Sequence, residues 1–164
     1  PDPGLAAQPL FSLLYAQGAL WAGGEGMLYE QRAGAWQNHP APDGADTRIQ
    51  RLCLYQNALW AGTSRGLYRY AADGWQRLAW DPSELHLAIN ACFVDSAGNF
   101  WVATNAGLAR IYDGQLAEFV PAGTRAAAAQ VEVLSEDREH DLWIGTHAHG
   151  VMRLWNGLDR KSVV

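Results

Sequence analysis

The sequence contains 164 residues, enough for one domain with a sizeable core, and it has a formal net charge of −5 with a pI of about 5.4. This acidic balance argues against nucleic acid as a partner, because nucleic acid binding usually needs a basic face. No run of about 18 apolar residues is present, so no segment is expected to insert into a membrane, and the opening residues PDPGLAAQP carry no signal-peptide pattern.

Four similar stretches, each with a Leu-Trp or Phe-Trp pair, follow one another along the chain. They are LWAGGEGMLYEQ from Leu20, LWAGTSRGLYRY from Leu59, FWVATNAGLARI from Phe100 and LWIGTHAHGVMRL from Leu142. Apolar and polar residues alternate in them and glycines recur, which favours strands over helices. The spacing of their tryptophans, 39, 41 and 42 residues, predicts a repeated unit that stacks on copies of itself.

Each unit is predicted to form four short antiparallel strands. The first strand is apolar (10–15, 49–55, 89–95 and 131–137), and the second carries the tryptophan. The third follows a glycine that recurs in register, namely Gly26, Gly66, Gly107 and Gly150. The fourth (35–39, 75–80, 115–120 and 158–164) follows a tight turn marked by Gly34, Asp73-Gly74, Asp113-Gly114 and Asn156-Gly157. Asp-Gly and Asn-Gly suit a two-residue hairpin turn in which both residues have positive φ.

This pattern predicts an all-β fold, a β-propeller with four blades of four antiparallel strands each. An N-terminal tail spans residues 1–9, and the propeller segment spans 10–164, with blades at about 10–40, 49–80, 89–121 and 130–164. Eight tryptophans in a chain of this length need an explanation. We expect the four that share one register, Trp21, Trp60, Trp101 and Trp143, to pack between neighbouring blades.

The two cysteines, Cys53 and Cys92, each fall in a predicted first strand and have no metal-binding spacing. Two interpretations stay open for them. Each is a small buried apolar side chain, or the two form a disulfide.

The repeat resembles the two-component regulator propeller repeat. The stretches LWAGT at 59–63 and GLYRY at 66–70 carry the resemblance, as do LWIGT at 142–146 and the turn Asp95-Ser96-Ala97-Gly98 before Trp101. The resemblance covers residues 10 to about 160. It implies a sensory segment outside the cytoplasmic membrane of bacteria, in the periplasm, in a protein whose kinase or diguanylate cyclase lies inside.

Propellers of this family usually have about seven blades, so the resemblance implies that four repeats are part of a larger ring. The alternatives are a closed four-bladed ring and two copies that complete each other. We expect pairing of copies, as a homo-oligomer such as a dimer, because an open arc exposes two apolar blade faces.

The family fold places the loops between second and third strands, and the connectors between blades, on one rim. The rim candidates for binding a small molecule or oligosaccharide are Arg65, Trp80, Asp81, Asn105, His147 and His149. Trp80 breaks the register of the repeat, so it either contacts a ligand or covers a blade edge. The motif His147-x-His149 lacks a third ligand, so no metal site is predicted, and the charged run 136–141 is predicted to be a solvated turn.

No catalytic residue and no cofactor is predicted. The sequence has no Gly-x-Ser-x-Gly motif and no phosphate-binding glycine loop between a strand and a helix. The predicted function is therefore a non-enzymatic sensor. A protein-interaction scaffold is the first alternative, and a propeller enzyme similar to the streptogramin lyases is the second.

Overall fold

The computed structural model describes residues 8–79, 87–121 and 130–154. In these ranges the chain forms fifteen strands and no helix, so none of its described elements is a helix that could cross a membrane. Blade 1 contains β1 (Leu10–Ala16), β2 (Ala19–Gly24), β3 (Met27–Arg32) and β4 (Ala35–Pro40), and blade 2 contains β5 (Ile49–Tyr55), β6 (Ala58–Thr63), β7 (Gly66–Ala71) and β8 (Gly74–Arg77). Blade 3 contains β9 (Ile89–Val94), β10 (Phe100–Thr104), β11 (Gly107–Tyr112) and β12 (Gln115–Pro121), and blade 4 contains β13 (Val131–Glu136), β14 (Leu142–Thr146) and β15 (Val151–Leu154).

Each blade is one antiparallel sheet in which the strands pair in chain order. The first strands of successive blades contact one another, β1 with β5, β5 with β9 and β9 with β13. They therefore lie on the inner side of the arc. This arrangement confirms the predicted fold of stacked propeller blades. The predicted fourth strand of blade 4, residues 158–164, and its Asn156-Gly157 turn lie outside the described residues.

The tight turns agree with the prediction in two blades and differ in one. Ala33-Gly34 and Asp113-Gly114 both have positive φ at the two turn positions, as a two-residue hairpin of the right twist requires. In blade 2, however, Ala71 pairs with Gly74, so the turn residues are Ala72 and Asp73. The predicted position of this turn, Asp73-Gly74, is thus wrong by one residue. Of these two residues only Gly74 has a positive φ (106°), and it is the first residue of β8.

Two glycines of the second strands allow the blades to approach closely. A Cβ atom on Gly62 would lie 2.6 Å from Cγ2 of Ile89, which begins the first strand of blade 3. A Cβ atom on Gly23 would lie 2.6 Å from the carbonyl oxygen of Ile49, at the same point of blade 2. The glycine that follows Trp-Ala in these repeats is therefore explained by packing between blades.

Three of the four register tryptophans lie in the core clusters between neighbouring blades. Trp21, Trp60 and Trp101 are 5%, 4% and 3% exposed. Trp143 is 37% exposed, and its packing against a neighbouring blade stays a prediction. Its indole lies on the outer face of blade 4, and none of the described residues forms a sheet beyond that face.

The outer face of blade 1 is uncovered in the same way. Leu13 is 65% exposed, whereas Leu52, at the equivalent position of blade 2, is 7% exposed because blade 1 covers it. Phe11 and Tyr15 are also exposed on β1. The described strands therefore form an open arc that ends in two apolar faces.

Cys53 and Cys92 form a disulfide that joins β5 of blade 2 to β9 of blade 3, with their Cα atoms 6.3 Å apart. This decides between the two interpretations of the cysteines. Strand register shows that Cys53 and Cys92 replace an apolar pair that the other interfaces keep, Leu14 with Leu52 and Phe93 with Leu134. The bond therefore stands at an ordinary contact position between blades.

Candidate ligand-binding site

The rim predicted as a binding surface is built by a repeated backbone contact. The N–H groups of Ser64, Asn105 and His147 donate to the carbonyl oxygens of Arg48, Ala88 and Gln130, at 3.0, 3.1 and 3.0 Å. Each acceptor is the residue just before the first strand of the same blade. The loops between second and third strands thus lie beside the connectors at one edge of the arc.

The rim candidates belong to separate blades. The Arg65 carbonyl accepts a hydrogen bond from Arg77 Nη2 at 2.8 Å in blade 2, and Asn105 lies in the loop of blade 3. His147 in blade 4 is 72% exposed at its side chain, with Nδ1 3.6 Å from Oε1 of Glu132. His149 is exposed as well. Trp80 and Asp81 lie outside the described residues.

A group of three carboxylates lies in the charged turn of blade 4. Ligand atoms of Asp137, Glu139 and Asp141 all lie within 4.8 Å of one another. Arg153 occupies this group: its Nη2 donates to Glu139 at 2.9 Å and also to Asp141, and its Nε donates to Asp141 at 2.8 Å. The guanidinium offsets part of the negative charge of these carboxylates, so the turn is explained as an ion-pair network.

A cavity of about 750 Å³ lies between blades 2 and 3. Trp60, Arg69, Gln76 and Arg77 line it from blade 2, and Asp113 and Gln115 line it from blade 3. Its volume is within the range of small-molecule sites. The predicted rim residues Arg65, Asn105, His147 and His149 do not line it, and residue-by-residue reading of the sequence did not single it out.

Aromatic rings fill the equivalent space between blades 1 and 2. The ring of Tyr70 lies 5.9 Å from that of Trp21 and 4.7 Å from that of Trp75, between ring centroids. The Tyr70 hydroxyl and Nδ1 of His39 are 2.9 Å apart, and Nε2 of His39 is 3.3 Å from Oε2 of Glu30. Burial, and then the charge of Glu30, raise the pKa of Tyr70.

Strand register identifies two smaller side chains at the interface that contains the cavity. Ile111 and Leu116 of blade 3 occupy the positions that Tyr70 and Trp75 hold in blade 2. Both pack against the core between blades 2 and 3. Because they are smaller than a phenol and an indole, the outer part of this interface remains open.

The first turns of blades 3 and 4 contain an aspartate that binds the register tryptophan. Nε1 of Trp101 donates to Oδ2 of Asp95 at 2.7 Å, and Nε1 of Trp143 donates to Oδ2 of Asp137 at 2.6 Å. The bond from Trp143, followed by that from the backbone of Asp141, lowers the pKa of Asp137. An aspartate before the second strand thus serves as the acceptor for the indole.

An arginine accompanies each of these pairs. Arg110 lies with its guanidinium carbon 6.0 Å from the ring centroid of Trp101, and Arg153 lies 5.3 Å from that of Trp143. Both arginines stand directly across from the tryptophan on the third strand. The position opposite Trp60 is Arg69.

Blade 2 lacks the aspartate, because its first turn consists only of Gln56-Asn57. The indole nitrogen of Trp60 is buried and has no hydrogen-bond partner in the described structure. Blade 1 also has a two-residue turn, but there Nε1 of Trp21 donates to the Ala16 carbonyl at 3.3 Å. The shortened turns are visible in the sequence, and comparing their lengths in register is the signal that could have directed attention to Trp60.

The comparisons with known proteins support the fold. No family model matches the chain, and no curated protein matches it. The chain is similar to the extracellular domain of BT3049 from B. thetaiotaomicron, a protein assigned to the hybrid two component systems, with 20% identity and a TM-score of 0.81 over 97% of this chain and 22% of that one. The chain therefore spans about a fifth of that structure.

Two further solved structures show the same likeness. The computationally designed Ika4 protein is 14% identical with a TM-score of 0.68, over 92% of this chain and 93% of that one. Virginiamycin B lyase from Staphylococcus aureus is 12% identical with a TM-score of 0.71, over 93% of this chain and 54% of that one. At these identities the likeness shows the β-propeller fold alone.

Proposed function

We propose that this chain is part of the extracytoplasmic sensor of a bacterial transmembrane signalling protein, a two-component kinase or a diguanylate cyclase, and that it binds a small ligand without transforming it. The observation that carries the proposal is the likeness to the extracellular domain of a hybrid two component system over nearly the whole chain. The repeat motifs at 59–70 and 142–150 support the same family.

The disulfide between Cys53 and Cys92 supports the proposed compartment. Disulfides persist in oxidising environments such as the bacterial periplasm and are rare where thiols are kept reduced. A bond that joins two blades would be lost in a reducing cytoplasm. Its presence at an inner position of the fold therefore favours a periplasmic location.

The two uncovered blade faces support a larger assembly. Leu13 and Tyr15 on blade 1, and Trp143 and Val151 on blade 4, are exposed apolar side chains on sheets that elsewhere pack on a neighbour. We propose that further blades or a second copy of the chain cover them. Ligand binding then acts on the output by favouring one of two arrangements of these units.

A thermal-shift screen with oligosaccharides, amino acids and organic acids tests the binding part of this proposal. A ligand that binds only the folded chain raises the melting temperature in a concentration-dependent manner. We expect at least one of these compounds to do so. If no compound raises it and the chain instead captures a folded protein, the chain is an interaction scaffold and the sensor proposal fails.

A fusion of the parent gene to alkaline phosphatase at residue 164 tests the compartment separately. Because this enzyme is active only after export and disulfide formation, we expect high activity for the fusion. A fusion of residues 1–164 alone is the control. Equal, low activity of both fusions would overturn the extracytoplasmic assignment.

A lyase is the second candidate, and the fold likeness to virginiamycin B lyase is the observation that favours it. A lyase of this kind would open a cyclic depsipeptide. We expect no turnover of quinupristin by this chain. If turnover is seen and is lost in the His147→Ala and His149→Ala variants, the non-enzymatic proposal is wrong.

A further inference from the structure

The cavity between blades 2 and 3 borders an indole that lacks its acceptor. In the two blades whose first turn has five residues, the register tryptophan donates to an aspartate of that turn. In blade 2 the turn is shorter, and the N–H of Trp60 is buried without a partner in the part of the chain that the structure describes. A buried donor without an acceptor is unfavourable, so it points to an acceptor that the chain itself does not supply.

A second donor, Arg69, lies on the strand opposite Trp60. In blade 4 the equivalent arginine, Arg153, binds the carboxylates of the first turn. Arg69 stands across from Trp60 and lines the cavity, and its guanidinium forms no hydrogen bond or ion pair with any residue in the described ranges. Blade 2 thus retains both groups that hold a carboxylate in blade 4, but it lacks the carboxylate.

We infer that this cavity binds the carboxylate of a small polar acid, and that this carboxylate takes the place which Asp95 and Asp137 hold in blades 3 and 4. The inference rests on the proposed ligand-binding function and names the ligand class. Arginine and an indole N–H are both donors, and a carboxylate can accept from both at once. The Trp60 nitrogen is buried in the chain as it stands, so binding includes a local adjustment of the side chains around the indole.

The other residues that line the cavity indicate which further groups the ligand carries. Arg69 and Arg77 line the cavity together with one aspartate, Asp113, and the guanidinium of Arg69 is the cation that favours an anion there. Gln76 and Gln115 offer amide groups that hydrogen-bond to hydroxyl or amide groups. A hydroxy acid, a sugar acid or an amino acid of small size has these features, whereas a neutral sugar lacks the carboxylate.

Acetate is the probe that tests the carboxylate position itself, whatever the rest of the natural ligand is. The chain is labelled with ¹⁵N, and the indole N–H signals are followed while sodium acetate is added, with sodium chloride at equal ionic strength as the control. The Trp60→Phe variant identifies the Trp60 signal by its disappearance. We expect acetate, but not chloride, to move the Trp60 N–H proton downfield, because a carboxylate becomes its acceptor.

Two substitutions separate this site from general anion binding. Arg69→Gln removes the charged donor, and we expect acetate to bind about tenfold more weakly, which is the usual scale for a hydrogen bond to a charged group. Arg51→Gln is the matched control, since Arg51 is exposed on β5 and does not line the cavity. It should leave the acetate response unchanged.

A grafted turn supplies the missing acceptor within the chain. Replacing Gln56-Asn57 by Asp-Ser-Ala-Gly-Asn, the first turn of blade 3, should move the Trp60 N–H signal downfield without acetate and abolish the response to acetate. The inference is overturned if acetate does not shift the Trp60 N–H signal of the unmodified chain. That result would mean that the indole is accommodated by contact with the ring of Phe100, whose centroid lies 5.5 Å from that of Trp60. It is also overturned if acetate binds equally well to the Arg69→Gln variant.

Failure of the carboxylate site and failure of the proposed sensor function give different results. If the acetate titration fails while a compound still stabilises the chain in the thermal screen, the sensor proposal stands and its ligand binds elsewhere. If acetate binds at Trp60 but the alkaline phosphatase fusion is inactive, the carboxylate site stands and the extracytoplasmic sensor does not.

Discussion

The interface between blades 1 and 2 is filled by aromatic rings, whereas the interface between blades 2 and 3 contains a cavity and a disulfide. Both interfaces have the same strand register and the same close approach at glycine, Gly23 in one and Gly62 in the other. They differ at a few side chains, chiefly Tyr70 and Trp75 against Ile111 and Leu116. The repeated backbone therefore makes the interface, and a few side chains decide whether it is a core or a site.

The largest expected effect is on the disulfide, which only the interface between blades 2 and 3 has among the described interfaces. It closes a loop of 39 residues, so replacing both cysteines, as Cys53→Ala with Cys92→Ala, should lower the free energy of unfolding by about 4 kcal/mol. Urea denaturation measures this. A reducing agent should destabilise the unmodified chain by a similar amount and leave the double variant unchanged, and equal stability of the two chains would contradict the prediction.

The second prediction converts the filled interface into the open one. The double variant Tyr70→Ile with Trp75→Leu removes two rings from between blades 1 and 2, and we expect a loss of about 2 to 3 kcal/mol in the free energy of unfolding. Urea denaturation again measures it. Tyr15→Ile is the control, because Tyr15 is exposed on blade 1. A loss no greater than in the control would mean that these rings do not hold the blades together.

The third prediction fills the cavity. Leu116 lines the cavity, so the variant Leu116→Trp places the indole of blade 2 at the equivalent position of blade 3, and we expect a gain of about 1 kcal/mol in the free energy of unfolding. The response of the Trp60 N–H to acetate should be lost. Retention of that response in a folded variant would show that acetate binds outside the cavity.

The smallest expected effect is the dependence of stability on pH that arises from Asp137 in the first turn of blade 4. The hydrogen bond from Trp143 lowers the pKa of Asp137 below its usual value of 3.8. The ionised carboxylate therefore stabilises the fold, and this contribution is fully present at pH values above the pKa of Asp137 in the unfolded chain. The contribution is lost as the pH falls through the lowered pKa. A ¹³C titration of the Asp137 carboxyl carbon measures this, and Trp143→Phe should raise the pKa toward 3.8, whereas an unchanged pKa in that variant would contradict the assignment.

The sequence was sufficient to predict the architecture because the evidence for it is local. The spacing of the tryptophans gave the blades, and the Asp113-Gly114 turn behaved as its residues predict. The Asp73-Gly74 turn shifted by one residue because a glycine can also follow a turn and take the positive φ itself. Trp143 resembles Trp21 in its local sequence, and only the absence of a described neighbouring sheet makes it exposed.

The candidate site could not be predicted in the same way, because it depends on pairs of residues from different blades. The cavity is lined by Leu116 of blade 3 and by Trp60 of blade 2, which lies about 55 residues earlier in the chain. The disulfide likewise depends on which cysteine positions oppose each other across the interface. The shortened turn at Gln56-Asn57 is visible in the sequence, but its consequence, a buried Trp60 N–H without an acceptor, depends on how the indole packs.

The position of the Cys53–Cys92 bond has a mechanical consequence. It fastens blades 2 and 3 at their inner strands, so a change in the angle between these blades pivots about the bond. The displacement of one blade relative to the other then increases with distance from the bond and is largest at the outer strands β8 and β12. A ligand that binds between these strands therefore changes the angle between the blades from the position farthest from the pivot.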